Sequence, residues 1–327
     1  MYSVMMDLTN ALRGQNRYSY RDMAMTREMT RCVGFVVHAG RPVGTCFLIR
    51  VQSEMRPGDE SWDHGYLVTA RHCVPPDSVQ LEKDPAEVWM PNADGLLVKG
   101  YRPSWWYRED DEDVAIAAWV PSTDPTVWQG FPFYGGTVVG SGSNILLGSE
   151  VLYVGLLDPV RSMRDRGQPM VRVANLGATN VAIDWDNGKS RAKEAHLIDC
   201  RSRAGFSGSP CFAHTAHPGM LQGVLPPEAA DQAAAFKLGS TYHFHQLMGM
   251  LVAFGDEAGL GIVLPLDRIR EMLAWDDLVK MRRQHDEQRE QTESTAENGI
   301  ESIAVTTGDA DTEPHSALTG RPGPGPA

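Results

Sequence analysis

The sequence predicts an all-β protein: two sets of six antiparallel strands, each sufficient for a barrel, then a C-terminal helix and a disordered tail. Three observations predict it. From Cys32 onward the apolar residues come in short runs that stop at turn residues. Glycine (32) and proline (21) are abundant for a chain of 327 residues, which suits a loop-rich β architecture. The runs also fall into two groups, parted by a Gly-, Pro- and Ser-rich linker over 122–147.

Residues 1–30, rich in Met and Arg and without a clear period, read as an N-terminal arm or short helix. The first six strands are expected at 33–38, 43–51, 65–70, 86–90, 95–101 and 114–120, giving a first barrel over 31–121. The second six are expected at 149–157, 169–175, 195–200, 209–213, 247–255 and 260–265. Leu266, Ile269, Met272, Leu273 and Leu278 then recur at helical spacing, so the second barrel and its helix cover 148–283 and the folded domain covers 31–283. Residues 214–245 exceed what a minimal barrel needs, and read equally as a lid over a cleft or as surface decoration. Over 284–327 nine acidic side chains face only Arg289 and Arg321, no aromatic occurs, and the chain ends in alternating Pro and Gly. Such a segment buries too little apolar surface to offset its ordering entropy, so it is expected to be disordered.

Composition excludes several functions. No run of about 18 apolar residues is present, so no membrane span is expected. Met1 to Asp7 lacks the basic and apolar regions of a secretory signal, and five cysteines (32, 46, 73, 200, 211) are an odd number without close pairing. Both point to a cytoplasmic protein with reduced thiols. The net charge of −12, concentrated in the tail, speaks against non-specific nucleic-acid binding. No metal or cofactor is expected. His243 and His245 alternate as ligands do, but no Cys or carboxylate stands at a fixed spacing from them. Trp105-Trp106-Tyr107 reads as packing or a loop wedge.

Three segments carry chemistry: Thr69-Ala70-Arg71-His72-Cys73, Asp113-Val114-Ala115-Ile116-Ala117 and Gly205-Phe206-Ser207-Gly208-Ser209-Pro210. A serine hydroxyl attacks a carbonyl only if an imidazole takes its proton, and a carboxylate holds that imidazole in the right tautomer. Asp113 is preferred over Asp111 and Glu112 because an apolar strand begins directly after it. His64 is a rival base, but its turn, Ser61-Trp62-Asp63-His64-Gly65, reads as exposed. Gly205 and Gly208 allow a sharp turn around Ser207, and the N–H groups of Gly205 and Ser207 are the candidate oxyanion hole. The order His, Asp, Ser differs from that of subtilisins and of α/β-hydrolases.

With Gly44-Thr45-Cys46-Phe47-Leu48-Ile49 and Gly261-Ile262-Val263-Leu264-Pro265, these motifs resemble the trypsin-like (chymotrypsin-fold) serine peptidases over roughly residues 33 to 275. The likeness is greater to the bacterial, disulfide-poor branch that includes HtrA-type enzymes than to digestive trypsins. The resemblance implies a serine endopeptidase acting on polypeptides through an acyl-enzyme, with His72, Asp113 and Ser207 as catalytic residues. The alternative is a binding or scaffold module of the same fold with weak turnover. It implies a pocket floor near Arg201 and walls near Ala253, Phe254, Gly255 and Gly261. An arginine turned inward would select acidic side chains, whereas one turned to solvent would leave an apolar pocket, and both readings stand. Trypsins bridge the cysteine after the histidine to the preceding strand; Cys46 lies two places from that position, so a Cys46–Cys73 bridge is not favoured. Phe206 stands where digestive enzymes carry the aspartate that pairs with a new N-terminus, so activation without zymogen cleavage is implied.

Overall fold

A computed structural model of the chain describes residues 27–74, 86–92, 94–107, 113–119, 130–134, 138–139, 145–156, 167–183, 193–200, 205–217, 242–255 and 259–306. The chain divides into two compact units, residues 1–279 and 280–327. The first is mostly β.

Its N-terminal half is one eight-stranded sheet. After a short helix α1 (Arg27–Arg31) come β1 (Val33–His38), β2 (Arg41–Val51), β3 (His64–Thr69), β4 (Glu87–Pro91), β5 (Leu97–Tyr101), β6 (Trp105–Tyr107), β7 (Ala115–Ala118) and β8 (Phe131–Pro132). The order across the sheet is β5-β4-β1-β2-β3-β7-β6, and β8 runs parallel to β2. The expected first barrel is therefore an open sheet among the described residues, because β5 and β6 at its two ends do not pair. Two of its strands were not expected. Trp105-Trp106-Tyr107 is a strand paired with β7, and Phe131-Pro132 lies inside the stretch read as linker.

The C-terminal half is a closed barrel of β9 (Glu150–Leu156), β10 (Pro169–Ile183), β11 (Lys193–Asp199), β12 (Ser209–His217), β13 (Tyr242–Gly255) and β14 (Leu260–Pro265), in the order β10-β11-β14-β13-β12-β9. Side chains in a strand alternate between faces, and the core shows it: Val151 and Tyr153, Ala174 and Leu176, and Cys211 and Ala213 all point inward. Between them, Leu152 and Phe212 are buried on the opposite face, where the Phe212 ring meets Phe131 of β8 edge to face at 5.1 Å. Each such aromatic contributes about 2–3 kcal/mol by burial, which ties the two halves together. The ends of the 214–245 insertion prolong the β12–β13 hairpin as far as the His217–Tyr242 pair; residues 218–241 lie outside the described residues.

The expected single helix is two. Helix α2 (Leu266–Leu273) buries Leu266, Ile269, Met272 and Leu273, and α3 (Asp276–Thr306) starts afresh after Trp275 with Asp276 and Asp277 in its first turn, where the helix dipole favours anions. The boundary at 284 does not end regular structure. Residues 276–306 contain no proline and many strong helix formers (Glu, Gln, Arg, Ala), so local propensity sustains a polar helix where composition alone suggested disorder. Residues 307–327 lie outside the described residues, as do 1–26 of the expected arm. No described helix is long and apolar enough to cross a membrane.

Candidate active site

Strands β3 and β7 are antiparallel neighbours whose register pairs Thr69 with Ala115. The residues just after β3 and just before β7 therefore emerge at the same edge of the sheet. After β3 the chain makes a 3-10 turn, Arg71–Cys73, closed by Cys73 N–H donating to Ala70 O at 3.0 Å, and this turn carries His72. Asp113 stands two residues before β7. Its two carboxylate oxygens take different roles. Oδ2 lies 2.7 Å from His72 Nδ1, and Oδ1 accepts the His72 backbone N–H at 2.9 Å. One carboxylate thus fixes both the ring and the backbone that bears it. Beside it, the Arg71 guanidinium lies 3.5 Å from the centre of the Tyr107 ring and donates to Val74 O at 2.7 Å, bracing the turn against β6.

The His72 side chain is half exposed and that of Asp113 is 18% exposed. The hydrogen bond to Asp113, then the neighbouring Cys73, raise the His72 pKa above its ordinary 6.5, against an opposing effect of burial.

Ser207 comes from the other half, in the turn that leads into β12. Gly205 and Gly208 both have positive φ, 100° and 88°. At Gly208 the fit is tight: an added Cβ would sit 1.9 Å from Thr45 O and 2.6 Å from Thr69 Oγ1, so the backbone would have to shift. Short hydrogen bonds tie the loop to both halves. Ser209 N–H donates to Phe206 O at 3.0 Å and Gly208 N–H to Leu251 O at 2.7 Å, both within the barrel half. Thr45 N–H donates to Ser207 O at 2.7 Å and Thr45 Oγ1 to Gly205 O at 2.9 Å, both from β2 of the sheet. Phe206 is buried, with its ring 5.7 Å from that of Tyr153, edge to face, so it serves the barrel core.

The structure brings His72 and Asp113 into contact. It places the Ser207 loop against the same turn, with Ser207 O 3.8 Å from Cys73 Sγ, but the Ser207 hydroxyl donates to Val252 O at 3.3 Å and makes no hydrogen bond to His72. Neither the Gly205 nor the Ser207 N–H donates to an acceptor among the described residues. Beyond Val252, Ala253, Phe254 and Gly255 continue β13, with Phe254 in register with Gly261 of β14. Gly261 has no room for a side chain because Cys200 Sγ would lie 2.6 Å from its Cβ. Arg201 lies outside the described residues.

All five cysteines are free and buried. Gly44 explains why Cys73 has no partner on β2: a Cβ there would be 2.3 Å from Cys73 Sγ, so Gly44 occupies the facing position and Cys46 does not. His64, expected in an exposed turn, is buried at the start of β3. The preceding Trp62 is buried, and the Asp63 carboxylate is held by Tyr134 Oη at 3.1 Å and by Arg50 at 3.7 Å, drawing the segment inward. His245 stands across the β12–β13 ladder from His214, with ring centres 5.3 Å apart. Sequence reasoning missed Thr45 and Thr69. Their signal is a threonine, fully buried, in strands that are otherwise apolar there.

No protein-family model matches the chain, and no curated protein matches it. The chain is similar to solved structures of protease domains. The MamO protease domain from Magnetospirillum magneticum is 14% identical, with 77% of this chain and all of that one covered and a TM-score of 0.47. Deg5 is 14% identical, with 79% and 92% covered and a TM-score of 0.45. The HtrA-type protease AlgW with tripeptide is 13% identical, with 74% and 58% covered and a TM-score of 0.40. Likeness at this level carries no argument about chemistry, so what the chain can do has to follow from its own residues.

Proposed function

We propose that the protein is a serine endopeptidase of the chymotrypsin type, with Ser207 as nucleophile, His72 as general base and then acid, and Asp113 as the group that orients His72. The observation that carries this reading is the double grip of Asp113 on His72. With Nδ1 committed to the carboxylate, the neutral ring carries its proton there and leaves Nε2 as the base. The reading requires that rotation about the Ser207 Cα–Cβ bond release Oγ from Val252 O and bring it to Nε2. The hydroxyl proton then moves to the imidazole as Oγ bonds to the substrate carbonyl carbon. The carbonyl oxygen becomes an oxyanion facing the Gly205 and Ser207 N–H groups, whose stabilisation is worth most in the transition state. The imidazolium returns its proton to the leaving amine, and water, activated by the same base, releases the acyl group. Phe206 is committed to the barrel core and offers no carboxylate to a new N-terminus, which supports activity without zymogen cleavage. The five unbridged thiols favour a reducing compartment.

One observation favours the scaffold reading instead: the Ser207 hydroxyl rests on Val252 O rather than on His72. Labelling with a fluorophosphonate probe separates the two. The peptidase reading expects an adduct on Ser207 of the full-length protein. It also expects Ser207→Ala to abolish labelling and lower peptide hydrolysis by several orders of magnitude, while shifting stability by no more than about 0.5 kcal/mol. An unlabelled wild type would support the scaffold, and undiminished hydrolysis by Ser207→Ala would refute the mechanism.

A further inference from the structure

We infer that Thr45 is the positioning residue of the oxyanion site, acting through its hydroxyl on the Gly205 carbonyl; this inference rests on the peptidase reading. Gly205 is exposed, has a φ of 100°, and an added Cβ would meet no described atom within 4 Å, so side-chain packing from the described residues does not hold its conformation. A glycine so placed samples more than one peptide orientation, and only some of them aim its N–H at a substrate carbonyl. Among the described residues, the tertiary hydrogen bond that reaches Gly205 is the one from Thr45 Oγ1, at 2.9 Å. The same residue's N–H holds Ser207 O at 2.7 Å. Thr45 therefore holds the carbonyl of each residue whose N–H is a candidate oxyanion donor, which limits rotation about ψ at Gly205 and at Ser207 and so restricts how the loop can re-aim those N–H groups.

Thr45 is itself fixed. It is fully buried in β2, and its carbonyl accepts the Thr69 hydroxyl at 2.7 Å. Thr69 ends β3, three residues before His72. The hydrogen bonds from Thr69 to Thr45 and from Thr45 to Gly205 thus link the strand that delivers the base to the loop that delivers the oxyanion donors. A valine would keep the shape and β preference of Thr45 but would leave Gly205 O without this donor.

The test uses the full chain with Thr45→Val and Thr45→Ser. In Thr45→Val, kcat should fall about 10- to 100-fold with KM nearly unchanged, since a displaced donor weakens transition-state binding more than substrate binding. The midpoint of the pH–rate profile should stay in place, because His72 and Asp113 are untouched. Amide exchange over 205–209 should accelerate, and Thr45→Ser should restore both rate and protection. If Thr45→Val does not fold, Thr45→Ala poses the same question. Wild-type kcat together with wild-type protection in the valine variant would overturn the inference. So would a shifted pH midpoint or a failure of serine to rescue, each of which marks a merely structural role. A wild type without turnover would instead refute the peptidase reading, and amide exchange would still decide whether Thr45 anchors the loop.

Discussion

The N-terminal sheet is open at β5 and β6 among the described residues, and the C-terminal barrel closes through six strands. The open sheet nevertheless supplies its share of the site from its own strands. His72 and Asp113 leave adjacent ends of β3 and β7 and meet at 2.7 Å. The closed barrel's share leans on the sheet: Thr45 makes two hydrogen bonds to the Ser207 loop across the junction, and Cys73 Sγ reaches Ser207 O from the same side. Closure of a sheet therefore does not by itself organise chemistry at its rim. Strand adjacency does, and where the functional loop lies beyond the last ladder bond, the neighbouring half must complete it. On this comparison, damage within the sheet should alter the proton chemistry, and damage at the junction should alter the height of the rate but not its pH dependence.

The sharpest test of the first half is Asp113→Asn. The amide keeps the shape but cannot fix the tautomer that leaves Nε2 as base. On the peptidase reading, turnover should fall about 10⁴-fold, with the midpoint of the pH–rate profile moving down because the raised His72 pKa owes most to Asp113. Amide protection over 205–209 should not change. A variant with normal rate, or with a loosened serine loop, would break the division of labour.

Gly208→Ala tests the junction. The new methyl would enter the space of Thr45 O and Thr69 Oγ1 at a φ of 88°, so the backbone on one side must move. Denaturant unfolding should show a loss of about 2–4 kcal/mol, and the folded fraction should turn over about 100-fold more slowly. Its pH midpoint should match that of the wild type. A shifted midpoint would show that the junction and the His72–Asp113 pair are not separable.

Much of this was legible in the sequence because it is local. Most strands fall within a few residues of the apolar runs, although β10 continues to Ile183, and the contacting pair His72 and Asp113 stands at the ends of two such runs. What escaped depends on distant contacts. Strand β8 is two residues, Phe131-Pro132, recognisable only by its pairing with Ile49 and Arg50. Strand β6 has three aromatics in a row and therefore no alternation to read. The burial of His64 follows from Arg50 and Tyr134 drawing in its neighbour Asp63, and Thr45 acts on a carbonyl 160 residues away. Whether a set of strands closes is likewise a matter of which ends meet, and that is not written in any one run. In α3 the balance ran the other way: helix propensity, a local quantity, outweighed the polar composition from which disorder was expected.

The smallest expected effect concerns stability. The folded-state pKa of His72 is raised above 6.5, chiefly by its hydrogen bond to Asp113. A group raised in this way binds its proton more tightly in the folded chain. The resulting stabilisation is fully present below about pH 6.5 and is lost as the pH climbs through the folded-state value. Because the imidazole is half exposed, solvent screening keeps the contribution to about 1 kcal/mol or less. The difference in unfolding free energy between wild type and Asp113→Asn should thus be largest near pH 6 and should shrink toward about pH 9. Denaturant titrations of both proteins across that range measure it directly. A difference that stays constant with pH would mean that Asp113 stabilises the fold through the His72 backbone N–H rather than through the charged ring. The separation of proton chemistry from loop anchoring would then hold for the rate but not for the fold.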